Sequence, residues 1–280
     1  MKLILDQFIH KTNPIDKVLI SLISLFPFLL TISIFLADLF ASFSALILVG
    51  LFFQNKNKKI FSEVKIEIFY FLLFYFIVLI SLIFSTSIKE SFLPSFFYFR
   101  YFLFALSIYY LFKKYLFFKN IILSSLIISF LIISIDGTIQ YITGSNITGY
   151  PLMADPTPIV TSFFNDEKKL GSYFVRLLPF LLSLLYILNL KKFSKYALLI
   201  IGFLIFLSSE RVALFLFFLI LFFYFLIIKN QIKFLIITFS IFLIFLTLNK
   251  ELKYKYFDYT FQQLGFVETE WNKDHIDKKR

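Results

Sequence analysis

Cysteine is missing from this chain of 280 residues, which has only two histidines, four arginines and one tryptophan. Without cysteine, the chain forms neither disulfide bonds nor a thiolate metal site. A long hydrophilic stretch is missing as well, which excludes a soluble domain of any size. We predict no metal site and no cofactor.

Apolar residues dominate instead, because 60% of the chain is hydrophobic and 44 residues are phenylalanine. Apolar runs of about 15–21 residues recur along the chain, and a helix of about 20 residues crosses a bilayer. We therefore predict an all-α, polytopic membrane protein with about nine transmembrane helices. Ala37-Asp38 is the predicted turn between the first two. The predicted spans are 18–36, 39–53, 66–84, 92–112, 120–135, 170–190, 196–209, 212–228 and 233–248.

The lysines predict how these spans are oriented, because cytoplasmic segments of membrane proteins carry an excess of lysine and arginine. With the N-terminus in the cytoplasm, the inner segments hold fifteen lysines, whereas the outer segments before residue 249 hold three. This arrangement places the C-terminus in the periplasm and makes 1–16 a retained lead-in rather than a cleaved signal peptide. The net charge of +11 then reflects topology. We predict the lipid bilayer, and no nucleic acid, as a partner.

The hydrophilic segments divide the chain into a transmembrane bundle, 1–248, and a tail, 249–280. Within the bundle, 136–169 is predicted to be a periplasmic loop of 34 residues, and loops of this length are commonly functional. Its aromatic and aliphatic residues favour a folded loop on the membrane surface. We expect 249–280 to be the start of a second periplasmic segment in a truncated chain.

Three arginines differ from the lysines in lying inside or at the edge of apolar segments. A charged residue at the centre of a membrane helix costs about 2.5–3.5 kcal/mol, so such residues are candidates for function. All three fall toward the predicted outer face, where Lys169, Tyr173 and Arg176 share one face of a helix. Guanidinium groups bind phosphate oxygens well. The predicted anion site consists of Arg100, Arg176, Arg211 and Lys169.

Each arginine also has a plainer interpretation. Stacking on two neighbouring tyrosine rings would explain Arg100. Reaching back to the outer interface would explain Arg176. Glu210 and Arg211 would form a self-neutralising pair that caps a helical hairpin. These alternatives remain open at the level of the sequence.

Three segments occur in a characteristic order: QYITGSNITGY at 140–150, FNDEKKLGSYFVR at 164–176 and LSSERVAL at 207–214. The first lies in the predicted loop, the second runs from the loop into a helix, and the third is a small-residue and arginine turn between helices. Together they resemble signatures of the bacterial O-antigen ligase and O-antigen polymerase superfamily. The resemblance extends over about 66–250 as a helix pattern and is specific across about 136–215.

This resemblance implies a glycosyltransferase at the outer face of the bacterial inner membrane. Such enzymes transfer a glycan from undecaprenyl pyrophosphate to a sugar or lipid-linked sugar acceptor, with inversion and without a required metal. Arg176 and Arg211 match arginines that would bind the pyrophosphate, whereas Arg100 matches no signature.

The general base is not assigned by the sequence. The resemblance implies a histidine, but the residues around His275, the only histidine in the predicted outer segments, differ from the family's motif. Asp166 and Glu167 are the other candidates, although Asp166 is better placed to cap the sixth span.

Two other functions remain open. One is a truncated, non-catalytic member of the superfamily that keeps the donor site but lacks the base. The other is a transporter or flippase of lipid-linked sugars, a class in which acidic residues within helices or an internal repeat are common. The sequence shows no repeat, and every aspartate and glutamate falls at the end of a predicted span or in a connecting segment.

Overall fold

The computed structural model describes residues 8, 12–53, 62–154 and 158–228, followed by 236–238, 240, 244, 247–248, 253–258 and 261. This part of the chain is mostly helical, and six of its helical stretches are long and apolar enough to cross a membrane. The membrane class is therefore confirmed, whereas the number of nine spans and their orientation stay predictions. The chain divides into two compact units, Met1–Leu126 and Ile127–Arg280.

Five helices and the beginning of a sixth make up the described part of the first unit. They are α1 (Pro14–Ile32), α2 (Ile34–Phe53), α3 (Lys65–Ser81), α4 (Ile88–Phe96), α5 (Phe99–Lys114) and the start of α6 (Phe118–Thr143). A short 3-10 turn follows α3. α4 and α5 together cover the single span predicted at 92–112, and the stretch Ile88–Lys114 is one of the six that are long and apolar enough to cross a membrane. The two helices meet near Phe97, which leaves the helical region with a ψ of 7°.

The break between α1 and α2 falls at Ser33, so the predicted turn at Ala37-Asp38 is wrong. Ser33 is extended, with φ −161° and ψ 124°, and its hydroxyl accepts the amide hydrogen of Leu36 at 3.4 Å. A serine in this position satisfies an amide that the start of a helix leaves unpaired. Asp38 therefore lies inside α2.

Small residues let α2 pack closely against its neighbours. Ala37, Ala41 and Ala45 follow one another at four-residue spacing and are buried. Lipid chains are as apolar as leucine, so helices in a membrane associate through close packing and polar contacts rather than hydrophobic burial. One such polar contact is made by Ser107 Oγ of α5, which donates to the carbonyl oxygen of Ser44 at 3.1 Å.

Two ion pairs hold α5 against α1 and α2 at opposite ends. Near the start of α5, Arg100 Nη2 lies 2.9 Å from Asp38 Oδ2. At its end, Lys114 Nζ lies 2.6 Å from Asp16 Oδ2. Arg100 and Lys114 are about 21 Å apart along the helix, at 1.5 Å per residue. The two pairs therefore oppose any shift of α5 along its neighbours.

The second unit contains the rest of α6, a small antiparallel hairpin and three further helices. These elements are β1 (Met153–Ala154), β2 (Pro158–Ile159), α7 (Leu170–Ile187), α8 (Lys191–Leu207) and α9 (Arg211–Ile227). Leucines on the inner side of α7 are buried where this helix packs against α8 and α9. Helices therefore occur at the spans predicted at 170–190, 196–209 and 212–228, with shifts of a few residues at their ends. α7 is among the six stretches that are long enough to cross a membrane, and α9 is a shorter apolar helix.

α6 ends at Thr143, beyond the end predicted at 135. Asp136 and Gln140 lie inside the helix and are fully buried, although their polarity suggested a loop. They remain helical because the segment that follows supplies their hydrogen-bond partners. The connecting segment is therefore 144–169 rather than 136–169.

Two predictions near the C-terminus fall mostly or wholly outside the described residues. The ninth span, 233–248, lies for the most part outside the described residues, and His275 lies outside them altogether. The described part of the tail includes a single turn of π-helix, Tyr254–Asp258.

Candidate functional site

Glu210, in the turn between α8 and α9, caps the N-terminus of α7. The amides of Gly171 and Ser172 donate to its two carboxylate oxygens at 2.6 and 3.0 Å, and the Ser172 hydroxyl donates at 2.5 Å. Hydrogen bonds to an ionised group contribute about 1.5–3 kcal/mol each, and an anion is further stabilised by the helix dipole. Glu210 therefore joins two of the three signature-like segments, 164–176 and 207–214.

Gly171 is the residue that allows this close approach. A Cβ at this position would lie 2.6 Å from Ser208 Oγ, 3.0 Å from Ala213 Cβ and 3.2 Å from the Glu210 carboxyl carbon. The first of these distances is far below van der Waals contact. Only glycine lets the start of α7 touch the α8–α9 turn without moving it.

The α8–α9 turn is itself tightly shaped. Ser208 Oγ donates back to the carbonyl oxygen of Ile205 at 2.7 Å. Ser209 has a φ of 54°, in the left-handed region that residues other than glycine rarely adopt. Its hydroxyl is buried and has no hydrogen-bond partner among the described residues. α9 begins two residues later, at Arg211.

Arg176 and Arg211 lie near the starts of α7 and α9, the two helix ends that meet at this turn. Because both helices begin here, they run away from the site in the same direction, and both direct the positive ends of their dipoles toward it. Arg176 is exposed on α7, and its charge acts on the carboxyl of Glu210. Arg211 is half-buried as the first residue of α9.

The surroundings of the Glu210 carboxyl act on its pKa in opposite directions. Burial raises its pKa above the ordinary value, while the hydrogen bonds from Ser172 and Gly171 and the charge of Arg176 oppose that rise. The described hydrogen bonds of this carboxylate go to α7. The plainer alternative, a pair with Arg211 that neutralises the hairpin, stays open.

Tyr256, from the tail, reaches the same turn. Its hydroxyl donates to the carbonyl oxygen of Phe206 at 2.9 Å, and its ring stacks on the Phe206 ring with centroids 5.1 Å apart. Burial raises the pKa of Tyr256, the charge of Glu210 raises it further, and the charge of Arg211 lowers it. Tyr256 was not predicted from the sequence, because nothing in its local pattern distinguishes it from the other tyrosines among the 16 in the chain.

A buried polar network anchors the segment between α6 and α7. Asp136 accepts hydrogen bonds from Ser162 Oγ at 2.6 Å and from the Ile147 amide at 2.9 Å. Gln140 Oε1 accepts the amides of Thr161 and Ser162 at 2.9 and 2.7 Å. The predicted folded loop is therefore present, although its anchoring residues belong to a helix.

Asn146 belongs to the same network. It is buried, and its side-chain amide donates to the carbonyl oxygen of Ser162 at 3.0 Å while its Oδ1 accepts the amide of Tyr150 at 2.8 Å. Asn146-Ile147-Thr148 has the form of a glycosylation acceptor, but the side-chain amide of Asn146 is engaged in these buried hydrogen bonds.

The remaining predicted residues of α7 behave differently from one another. Lys169 is the N-cap residue and pairs with Glu167. Asp166 is exposed and is not the cap, so the predicted capping role is wrong; Glu210 satisfies the helix amides instead. Tyr173 is buried, with its hydroxyl 3.3 Å from Ser129 Oγ, so it does not share an exposed stripe with Arg176.

Arg100 belongs to the first unit and has partners of its own there. Besides the ion pair with Asp38, its guanidinium donates to Tyr101 Oη at 2.9 Å and lies 4.9 Å from the centre of that ring. Its Nε is buried without a hydrogen-bond partner in the described structure. The plainer interpretation is confirmed in part, because the guanidinium lies against one of the two tyrosine rings, whereas the ion pair with Asp38 was not predicted. A role for Arg100 in anion binding stays a prediction.

No protein-family model matches this chain, and neither a curated protein nor a solved structure matches it at a significant level. The fold therefore defines the class: a helical, multi-pass membrane protein by the length and composition of its helices. In the part of the chain that the structure describes, no three metal-ligating side chains come together. The distinguishing feature is the junction of α7 with the α8–α9 turn, where Arg176 and Arg211 lie.

Proposed function

We propose that Arg176 and Arg211 bind the pyrophosphate of a lipid-linked glycan. The observation that supports this proposal is the contact between Glu210 and the first turn of α7, which holds the two arginine-bearing helix starts together. The two guanidinium groups and the N-terminus of α9 make this junction suitable for an anion, whereas the first amides of α7 already bind Glu210. The single negative charge of Glu210 does not cancel the two positive charges of Arg176 and Arg211, so the junction keeps a net positive charge.

The reaction that fits such a site is glycan transfer by a membrane glycosyltransferase of the O-antigen ligase or O-antigen polymerase type. The donor would be undecaprenyl pyrophosphate carrying a glycan, and the acceptor a sugar or lipid-linked sugar. As the bond to the anomeric carbon breaks, negative charge grows on the leaving pyrophosphate. Fixed cations and helix dipoles around it lower the barrier because they are already oriented.

Lys169 and Arg100 are further proposed anion ligands with different support, and Arg100 belongs to the first unit. Lys169 lies in the same turn as the amides capped by Glu210, and its pairing with Glu167 is solvent-exposed, so a stronger anion can compete for it. The proposed role of Arg100 is supported by its position in the sequence alone. The base is proposed among Asp166, Glu167 and His275, of which the two carboxylates are exposed just before α7.

The lysine distribution supports placing this junction at the periplasmic face of a bacterial inner membrane. In that orientation the donor would reach the site from the outer leaflet. Tyr256 places part of the tail at the same junction, which agrees with an assignment of the tail to the same side.

A transporter of lipid-linked sugars is the second candidate, and one observation favours it. Asp16, Asp38 and Asp136 lie within helices, so the argument that acidic residues are missing from the helices is wrong. Each has defined partners, however: Lys114, Arg100 and Ser162, respectively. Reconstitution with a fluorescent lipid pyrophosphate separates the two functions, since flipping without glycan transfer would favour the transporter.

Binding of a lipid pyrophosphate to the protein in nanodiscs tests the proposed site directly. Arg176→Lys and Arg211→Lys each keep the charge but lose the bidentate fork, so affinity should fall about tenfold. Lys192→Arg, an equally conservative exchange at the exposed start of α8, is the matched control and should bind like the wild type. Wild-type affinity in both arginine variants would end the proposal.

A further inference from the structure

A groove lies between the C-terminal halves of α7 and α9, toward the helix ends that are far from the junction. Its volume is about 380 Å³, within the range of small-molecule sites. Pro179, Ser183 and Ile187 form its α7 wall, and Ile220, Phe223 and Ile227 form its α9 wall. The groove begins about 13 Å from the start of each helix, because Pro179 and Ile220 are both nine residues into their helices.

The exposed face of α7 that lines the groove also carries Arg176. Positions 176, 179, 183 and 187 follow one another at three- and four-residue spacing, which places them on one side of a helix. Each of them is exposed, whereas most of the leucines between them are buried. A molecule lying along this face meets a guanidinium first and an apolar channel next.

Two of the three polar side chains in the groove wall, Ser183 and Tyr224, have hydrogen-bond partners, and the third is the exposed Tyr186. Ser183 Oγ donates to the carbonyl oxygen of Pro179 at 2.7 Å. The hydroxyls of Tyr224 and Ser194 hydrogen-bond to each other at 2.5 Å. The groove thus offers a ligand a mainly apolar surface with few hydrogen-bonding groups, which suits a hydrocarbon chain and not a sugar.

From this continuity we propose that the groove holds the hydrocarbon tail of an anionic lipid whose phosphate lies at Arg176. The inference rests on the proposed anion site and extends it by adding a tail site to a head-group site. The charge at the other end of the groove is less suited to a head group, because Lys191 Nζ already lies over the ring of Tyr186, 4.4 Å from its centre. The Arg176 end combines an exposed guanidinium with the nearby start of α9 at Arg211.

The surrounding lipid is as apolar as the groove, so a hydrocarbon tail is held there by close packing rather than by the hydrophobic effect. The test is therefore a map of contacts rather than an affinity alone. The probe is an isoprenoid pyrophosphate with a photoreactive diazirine about 12 Å along its tail, the length of eight helical residues. The full chain is labelled in phosphatidylcholine nanodiscs, and the cross-linked peptides are identified by mass spectrometry.

We expect cross-links in 179–187 and 220–228 in the wild type. Ser183→Trp, which fills the groove from an exposed position, should reduce them at least severalfold, whereas Ile200→Trp on the exposed side of α8 should leave them unchanged. Arg176→Gln should also reduce them, because the head group anchors the tail. Binding of soluble inorganic pyrophosphate should be lost in Arg176→Gln and kept in Ser183→Trp.

The outcomes separate the tail site from the head site. If pyrophosphate binds normally but the cross-links fall on other helices, or persist in Ser183→Trp, the groove is not the tail site. Cross-links that survive Arg176→Gln but disappear in Lys191→Gln would place a lipid in the opposite orientation and overturn this inference. Failure of pyrophosphate to bind the wild type would instead refute the proposed function.

Discussion

The carboxylate of Glu210 lies 2.6 Å from the amide nitrogen of Gly171, and this contact joins the turn before α9 to the first turn of α7. The two residues depend on each other. Glu210 reaches the amide only because Gly171 has no side chain, and the amide remains satisfied only because Glu210 is present. The two helix starts that carry Arg176 and Arg211 are thereby held in one place.

Gly171→Ala should destabilise the protein. The added methyl group would clash with Ser208 Oγ at 2.6 Å, and overpacking of this kind costs about 1–3 kcal/mol. Gly50→Ala is the matched control, because nothing lies within 4 Å of a Cβ there and alanine favours the helix. Thermal unfolding in one detergent should show a lower melting temperature for the first variant only. Equal melting temperatures would show that the junction yields without cost.

Glu210→Gln should reveal the raised pKa of this carboxyl. The folded protein binds the proton of Glu210 more tightly than the unfolded chain, so the contribution of this group to stability falls as pH rises from about 4.3 through the raised pKa. The melting temperature of the wild type, measured relative to Glu210→Gln, should therefore decrease across that window. A difference that is constant or increases with pH would contradict the sign of the shift.

Lys114→Gln should destabilise the first unit more than Lys113→Gln. Asp16 is buried, and its carboxylate depends on Lys114, Tyr110 and Tyr115. Loss of the ammonium leaves two hydroxyl donors, so we expect a cost of about 1–3 kcal/mol, below that of a fully broken buried pair. Lys113, whose pair with Glu63 is more exposed, should contribute little. Similar melting temperatures for both variants would assign no special role to Asp16.

The Arg100–Asp38 pair can be tested by a double-mutant cycle. Both side chains are about one third exposed, so the coupling should be modest, about 0.5–2 kcal/mol. Arg100→Gln, Asp38→Asn and the double variant are compared by thermal unfolding. If Arg100 acts only in this pair, none of the three variants should alter the binding of a lipid pyrophosphate. Weaker binding in Arg100→Gln but not in Asp38→Asn would instead support the predicted anion role.

The corrections to the predicted elements share one cause. Asp38 and Asp136 suggested a turn and the start of a loop, because an unpaired carboxylate is costly inside a helix. Asp38 is paired with a residue more than 60 positions away, and Asp136 with one 26 positions away. No local pattern contains those partners. Serine at the start of α2 was a local signal, however, and Ser33 could have located the break.

The candidate site was partly predictable for a related reason. Arg176 and Arg211 could be selected because guanidinium groups are conspicuous in apolar segments, and the turn at 208–210 could be placed because it interrupts a long apolar run. The cap on α7 could not. Asp166 lies shortly before α7 in the chain, but the amides of α7 are satisfied by Glu210 from a different hairpin.

Composition and the length of apolar runs by themselves determined that this is a helical membrane protein, and set most helix positions to within a few residues. These properties are local, because each helix satisfies its own backbone hydrogen bonds and needs only length and apolarity to cross a bilayer. Only the tertiary structure decided which charges are paired, that Gly171 is a contact point, and that Arg176 and Arg211 lie at one junction. Those features depend on segments far apart in the chain, and the energy of a buried charge is decided by its partner in space.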